Sequence, residues 1–454
     1  MSNQTWQDRD KETVAEMCRH YTFTNYRSQG DWNPRGVIVD GEGSYIVDAD
    51  GKRYLDFSSQ YMCVNTGHNH PKVVEAICDQ AKRVCFVDPR YATHPRAELG
   101  RLLEEVTPES IKKSIICLSG SDANDHAHQI ARQCTGKNKF ITTYRSFHGS
   151  STSTSILTGE SRRWSMEPGI SGVVHVPAPY CYRCDFGLDP QSCNAHCARH
   201  IGQVIEYEGA ENVAAVMIEG VIGANGILFP HRNDYLTTIR EICNKYGVLM
   251  IVDEVMSGFG RTGEWFAVDH WNVQPDIITM AKGLTSSHLP LGAVGVSQAI
   301  ADYFDDHVLW SGGTFTNHPI SCAAAIATIN VYRDENLIEN SKNQGEYISI
   351  RLKNMQKSHA SIGDIRGLGL FQFIELVKNR ETRLGFSKNN GATNESGKLG
   401  SLDNEFLKRG INVKMHPLGI FIVPPLCITR EEVDMALDAI EEVLSLTADQ
   451  WVEA

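Results

Sequence analysis

The chain has 454 residues, 41% of them hydrophobic and 22% charged, which is ordinary globular material for about two or three domains sharing large cores. A formal net charge of −12 speaks against a nucleic-acid partner. The polar start, Met1-Ser-Asn-Gln-Thr-Trp-Gln-Asp-Arg-Asp10, lacks the apolar core of a signal peptide, and no uncharged apolar run nears the roughly 20 residues that span a bilayer. A cytoplasmic protein with no membrane contact is expected.

In chain order, residues 37–57 alternate apolar and polar around a turn at Asp48-Ala-Asp-Gly51, which predicts an antiparallel meander. From about 110 to 300 apolar strands recur: Ile115–Leu118, Phe140–Thr143, Val173–Val176, Ala215–Ile218, Val248–Val252 and Ile277–Met280. Helical stretches separate them, such as 233–246 with Leu236, Ile239, Ile242 and Cys243 at helical spacing. This alternation predicts an α/β protein with a mostly parallel sheet covered on both faces. Long helices follow at Ile320–Val331 and Leu337–Met355. The tail, 360–454, mixes strands (Leu368–Glu375, Gly419–Val423) with helices (Leu402–Lys408, Arg430–Leu444), a smaller α+β unit. Residues 386–400 are rich in Gly, Ser and Asn and read as a mobile loop. The expected division is an N-terminal segment, 1–60, that joins the small domain, a large cofactor-binding domain, 61–333, and the small domain proper, 334–454.

Most of the thirteen cysteines, such as Cys63, Cys117 and Cys322, sit in apolar contexts and read as small buried hydrophobes. Cys181, Cys184, Cys193 and Cys197 differ. Their Cys-x-x-Cys and Cys-x-x-x-Cys spacings, with His196 and His200 nearby, would suit zinc or would equally be reduced thiols in a loop. No metal is assigned to the functional site.

One lysine carries the most chemistry. The run Ile277-Ile278-Thr279 delivers Lys282 into a small-residue turn, and the strand Val248–Val252 ends in Asp253. A partly desolvated lysine can be a neutral amine, which forms a Schiff base with an aldehyde. An aspartate aimed at a pyridine nitrogen would keep it protonated, so the pair describes a pyridoxal phosphate site. Ser119-Gly120-Ser121 follows a strand and opens a helix. Gly120 permits close backbone approach, Ser121 reads as the N-cap, and helix-start amides bind a phosphate. Phe147, in Tyr144-Arg-Ser-Phe-His-Gly149, could stack on a flat ring. Glu219 also falls at the carboxyl end of a strand, the edge where open α/β sheets bind ligands.

Taken together, Ser119-Gly-Ser-Asp-Ala-Asn124, Phe147-His-Gly149, Ile251-Val-Asp-Glu-Val-Met-Ser-Gly-Phe-Gly-Arg-Thr-Gly263, Pro275–Gly283, Leu289–Gly292 and Gly312–Pro319 resemble the class III aminotransferases, the ω-amino-acid group of fold-type-I pyridoxal-phosphate enzymes. The resemblance runs from about residue 20 to Pro424-Pro425-Leu426. It implies the aspartate-aminotransferase-like fold, Lys282 as the cofactor lysine and Asp253 as partner of the ring nitrogen. It implies phosphate contacts from Gly120 and Ser121 and ring packing by Phe147 and Val255, with His148 and Glu219 counted in the cofactor site. Thr314 matches a threonine that reaches the phosphate from the neighbouring subunit, so a homodimer or tetramer is expected.

The chain departs from the family at Asp122, where Glu is common, at Met256, and at Lys414, which aligns with an arginine that holds a substrate carboxylate. Substrate contacts are expected from Arg163, Lys414, Tyr61 and Met62. The implied reaction moves an amino group from an amine donor to a keto-acid acceptor. Taurine and 2-oxoglutarate come first. Pyruvate, β-alanine and 4-aminobutyrate are alternatives, and a mutase or decarboxylase is the alternative outside transamination.

Overall fold

The computed structural model describes residues 6–231, 234–387 and 397–453. A seven-stranded sheet forms its centre: β4 (Ile111–Cys117), β5 (Lys139–Thr143), β6 (Val173–Val176), β7 (Val213–Glu219), β8 (Leu249–Asp253), β9 (Ile277–Met280) and β10 (Gly292–Ser297), with β1 to β3 lying earlier in the chain. Spatially the order is β4-β10-β9-β8-β7-β5-β6. Every residue of β7 and of β9 is buried, as strands covered on both faces must be.

All neighbours run parallel except β10, which is antiparallel to both β4 and β9. The sequence pattern did not predict β10, because Gly292 and Gly295 weaken its strand signal. The sheet explains them: a Cβ on Gly295 would stand 2.9 Å from Ile278 Cγ2 on β9. The register pairs Glu219 with Asp253 and Asp253 with Thr279, so β7, β8 and β9 bring their carboxyl ends level.

The meander forms as expected from β1 (Ile38–Glu42), β2 (Tyr45–Asp48) and β3 (Arg53–Asp56), all antiparallel. In the tail, the single strand expected at Leu368–Glu375 is instead a hairpin. Leu368 ends β11 (Ile362–Leu368), Gly369 turns at φ 53°, and Phe371 starts β12 (Phe371–Asn379). Glycine takes that left-handed turn at no steric cost. The short β13 (Leu384–Gly385) pairs with β12. β14 (Ile411–Asn412) then leaves the tail and adds in parallel to β3. β15 (Lys414–His416) and β16 (Gly419–Ile422) complete the sheet of the tail.

The helices Pro319–Asp334, Leu337–Ser358, Leu402–Lys408 and Arg430–Leu446 lie where periodicity places them. The helix expected over 233–246 is seen as Tyr235–Tyr246, with Leu236, Ile239 and Cys243 buried. Of the loop expected at 386–400, residues 388–396 lie outside the described part.

Arg261 ties the regions together. It is fully buried and donates to Leu370 O at 3.1 Å, Ser59 Oγ at 3.2 Å, Asn65 Oδ1 at 2.7 Å and Pro424 O. One cation from the middle of the chain thus satisfies acceptors from its early and late parts, where unpaired buried groups would each be costly.

Candidate active site

β9 ends in a single 3-10 turn, Lys282–Leu284. Lys282 sits at φ 45°, in the left-handed region that a non-glycine residue adopts only when its surroundings enforce it. Two contacts do so. The buried Tyr332 hydroxyl donates to Gly283 O at 2.6 Å, and a Cβ on Gly283 would lie 2.8 Å from Phe259 Cβ. Burial holds the Lys282 ammonium below the ordinary lysine range and Arg162 pushes the same way, against opposing pulls from Cys63, Asp253 and Glu219.

Asp253 is buried at the end of β8. Its Oδ2 accepts from Asn124 Nδ2 at 2.7 Å and faces His148 Nδ1 at 2.7 Å; Oδ1 accepts from the Val255 amide at 3.0 Å. His148 Nε2 meets Thr142 Oγ1 at 3.2 Å, so a proton on Nδ1 satisfies both contacts. Glu219 accepts from the amides of Phe147 at 2.9 Å and Gly223 at 2.8 Å, which fixes the Phe147 loop. Its carboxyl is raised by burial, with His148 opposing.

The helix Gly120–Thr135 starts directly after β4. Its N-cap is Ser119, not Ser121 as expected. Ser119 is the last extended residue (φ −161°, ψ 172°), and its Oγ accepts from the Asp122 amide at 3.2 Å. Asp122 Oδ2 in turn accepts from the Leu118 amide at 2.9 Å. Ser121 Oγ accepts from the Ser150 amide at 3.2 Å. A Cβ on Gly120 would stand 2.7 Å from Val255 Cγ1, so only glycine fits there.

Lys282, Asp253, Glu219, Phe147, His148 and Val255 line one cavity of about 390 Å³, with Gly120 and Ser121 at one end. An amine, a buried carboxylate with two donors on its far oxygen, an aromatic wall and a helix start fit a flat, phosphate-bearing pyridine aldehyde.

The outer wall departs from expectation. Arg163 turns away: Nε pairs with Glu167 Oε1 at 2.9 Å and its guanidinium lies 5.6 Å from the Tyr144 ring centre. Its neighbour Arg162 is paired with Glu160 and holds its guanidinium 3.8 Å from the centre of the ring of Phe147, which lines the cavity. Lys414 Nζ lies 4.6 Å from the centre of the exposed Tyr61 ring. Burial lowers Lys414, and Arg35 and Arg162 add to it. The buried His416 is pushed down to about 3, first by burial and then by Arg366, Arg145, Arg162 and Lys414; of these, Arg366 is paired with Asp364 and Glu375 and Arg162 with Glu160. Met62 does not reach the cavity; it packs with Val221 and Ile222 in a separate core cluster. Thr314 is exposed and away from this chain's cavity.

Three contributors escaped the sequence reading. Asn124 could have been found, since it lies four residues after Gly120 on one helix face. Arg162 and Tyr332 carried no such signal.

A model of the class III aminotransferase family matches residues 26–444. The chain belongs to the class III aminotransferases. As one of them it depends on pyridoxal phosphate and has the fold-type-I architecture. Among solved structures, this aminotransferase is similar to a taurine:2-oxoglutarate aminotransferase from Bifidobacterium kashiwanohense in complex with PLP and glutamate. The identity is 35%, covering 99% of both chains, with a TM-score of 0.93. A leucine/methionine racemase of Thermococcus litoralis is 35% identical over 90% of each chain. A taurine–pyruvate aminotransferase of Bilophila wadsworthia is 34% identical over 82% of this aminotransferase and 84% of its relative. Among the described residues no helix of the aminotransferase is long and apolar enough to cross a membrane.

Proposed function

We propose that this chain is an ω-amino-acid aminotransferase whose donor carries an anion at its far end, taurine first, and whose acceptor is 2-oxoglutarate. The observation that carries the reading is the meeting of Lys282, Asp253 and the Gly120 turn round one cavity, with the Arg162 guanidinium against the ring of its lining residue Phe147.

When bound, pyridoxal phosphate supplies an aldehyde carbon that takes up the amino group and a ring that stores the electrons released by C–H cleavage. Lys282 Nζ would hold that group and would carry the proton to and from the amine-bearing carbon. Burial lowers its pKa below the ordinary lysine range, which favours the neutral amine that a proton acceptor needs. Asp253 keeps the ring nitrogen protonated, and His148 and Asn124 hold Asp253 in place. Gly120, Ser121 and Thr314 of a neighbouring subunit bind phosphate; Phe147 and Val255 pack on the ring; Glu219 holds the Phe147 loop. Because the two half-reactions share one site, kinetics are ping-pong.

The donor's anion is assigned to Arg162, with Lys414 and Tyr61 beside it, in place of Arg163. Removing one charge-assisted contact costs roughly 1.5–3 kcal/mol, about ten- to a hundredfold. Arg162→Ala is therefore expected to raise the KM for taurine by that factor, and Arg163→Ala to change it little. Equal effects of the two variants would sink the assignment. A panel of amine donors, read by loss of the yellow cofactor absorbance without any acceptor, tests the substrate class. Turnover of 4-aminobutyrate but not taurine would move the choice to that donor.

The proposed assembly is a cytoplasmic homodimer with shared sites. It draws support from exposed Thr314 and from Val308, Trp310 and Phe315, which expose apolar surface in the same loop. Mixing Lys282→Ala and Thr314→Ala subunits checks it. A site built from two subunits recovers one native site per heterodimer, whereas a site within one subunit recovers none.

A second reading, amino-acid racemisation, has the similarity to the racemase in its favour. Turnover without any keto acid would support it and exclude transamination as the main activity.

A further inference from the structure

The loop between β6 and the helix His196–Glu208 is irregular except for a single 3-10 turn, Cys181–Arg183. A loop of this length with little structure of its own is uncommon in a compact domain unless something holds it. Part of the hold is visible at its start: Tyr180 donates to Glu375, and Arg183 Nε donates to Glu375 Oε1 at 2.8 Å. Beyond Arg183, the loop turns on its cysteines. Cys181, Cys184, Cys193 and Cys197 line one cavity of about 20 Å³, closed by Phe186 and His196. That is room for a water-sized occupant and too little for an organic ligand.

We propose that Cys181, Cys184, Cys193 and Cys197 form a structural tetrathiolate site for a thiophilic divalent cation, zinc, which staples this loop to the helix His196–Glu208. The chain spacing suits it: Cys181 and Cys184 flank a tight turn as a Cys-x-x-Cys pair, and Cys193 and Cys197 straddle a helix start. None of the four is in a disulfide. The His231 amide already donates to Cys181 Sγ at 3.5 Å, a contact that favours a thiolate.

Zinc takes cysteine as the thiolate, so ligation displaces the thiol protons. Binding is then Zn²⁺ plus four thiols giving a tetrathiolate and four protons, and affinity grows with pH. No three of these sulfur atoms lie within 4.8 Å of one another. Ligation at about 2.3 Å requires the thiols to turn inward about χ1. Among the described residues, one group has ligand atoms already within 4.8 Å of one another: Cys117, Asp122 and His126. There Asp122 is held by the Leu118 amide and lies 3.5 Å from His126, one helical turn on, a pair that needs no ion.

The holoenzyme, purified without chelator from zinc-supplemented cells, tests this. About one zinc per chain is expected by elemental analysis, released as a mercurial reagent titrates four thiols. Cobalt added to the metal-depleted protein should give the intense absorption of tetrahedral thiolate ligation. Cys181→Ser with Cys184→Ser should abolish both signals and lower the melting temperature, while pyridoxal phosphate is still retained. If that variant does not fold, the wild-type titration and cobalt spectrum decide alone. Four freely titrating thiols without zinc, a disulfide among the four, or zinc retained by the double variant would each overturn the proposal.

Discussion

Lys282→Ala is expected to lose transamination by at least about 10⁴-fold while remaining folded. The figure is the upper end for removing a positioned proton carrier, and here the same amine also holds the cofactor. The fold survives because the turn is fixed by others: Tyr332 bonds to Gly283 O, and Gly283 packs on Phe259. The lost group is also one whose burial as a cation is unfavourable, as its lowered pKa records. Borohydride reduction of the wild-type holoenzyme followed by peptide mapping should find the cofactor on Lys282, and the variant should show none there. Label on another lysine would reassign the site. An alanine variant that keeps wild-type turnover would remove Lys282 from the chemistry altogether.

Asp253→Asn is expected to cost about 10²–10³ in kcat, or about 2.7–4 kcal/mol, the size seen when a preorganised polar partner of the reacting group is removed. The carboxylate sits buried between two donors, Asn124 Nδ2 and His148 Nδ1, each 2.7 Å from Oδ2. Asparagine keeps the shape and one acceptor oxygen but not the charge that would hold a ring nitrogen protonated. KM for the donor should change much less than kcat, because the aspartate does not touch the donor's far end. A variant with lower thermal stability but unchanged kcat would make Asp253 a packing residue.

Different parts of this site were legible to different degrees. The inner strands β7 and β9 were, because each is a run of apolar and β-branched residues, and a strand buried on both faces leaves no other pattern. Lys282, Asp253 and Glu219 were legible as polar residues at the ends of such runs. β10 was not, because its glycines answer to close contacts with a strand that precedes it in the chain, which periodicity cannot show. Ser119 and Ser121 are two residues apart, and both can cap a helix. Only the backbone conformation at Ser119 decides between them.

What the sequence determined by itself is the fold class and the family, and it singled out Lys282 as the candidate cofactor lysine, since local hydrophobic runs and long ordered motifs carry that information without reference to distant neighbours. What only the tertiary structure decided is which of two adjacent arginines lies against the cavity-lining Phe147. Arg162 stacks on Phe147 and Arg163 swings to Glu167. The two have the same charge and nearly the same position along the chain. Their roles differ because a loop side chain points where its long-range partners draw it, and those partners come together only when the chain has folded.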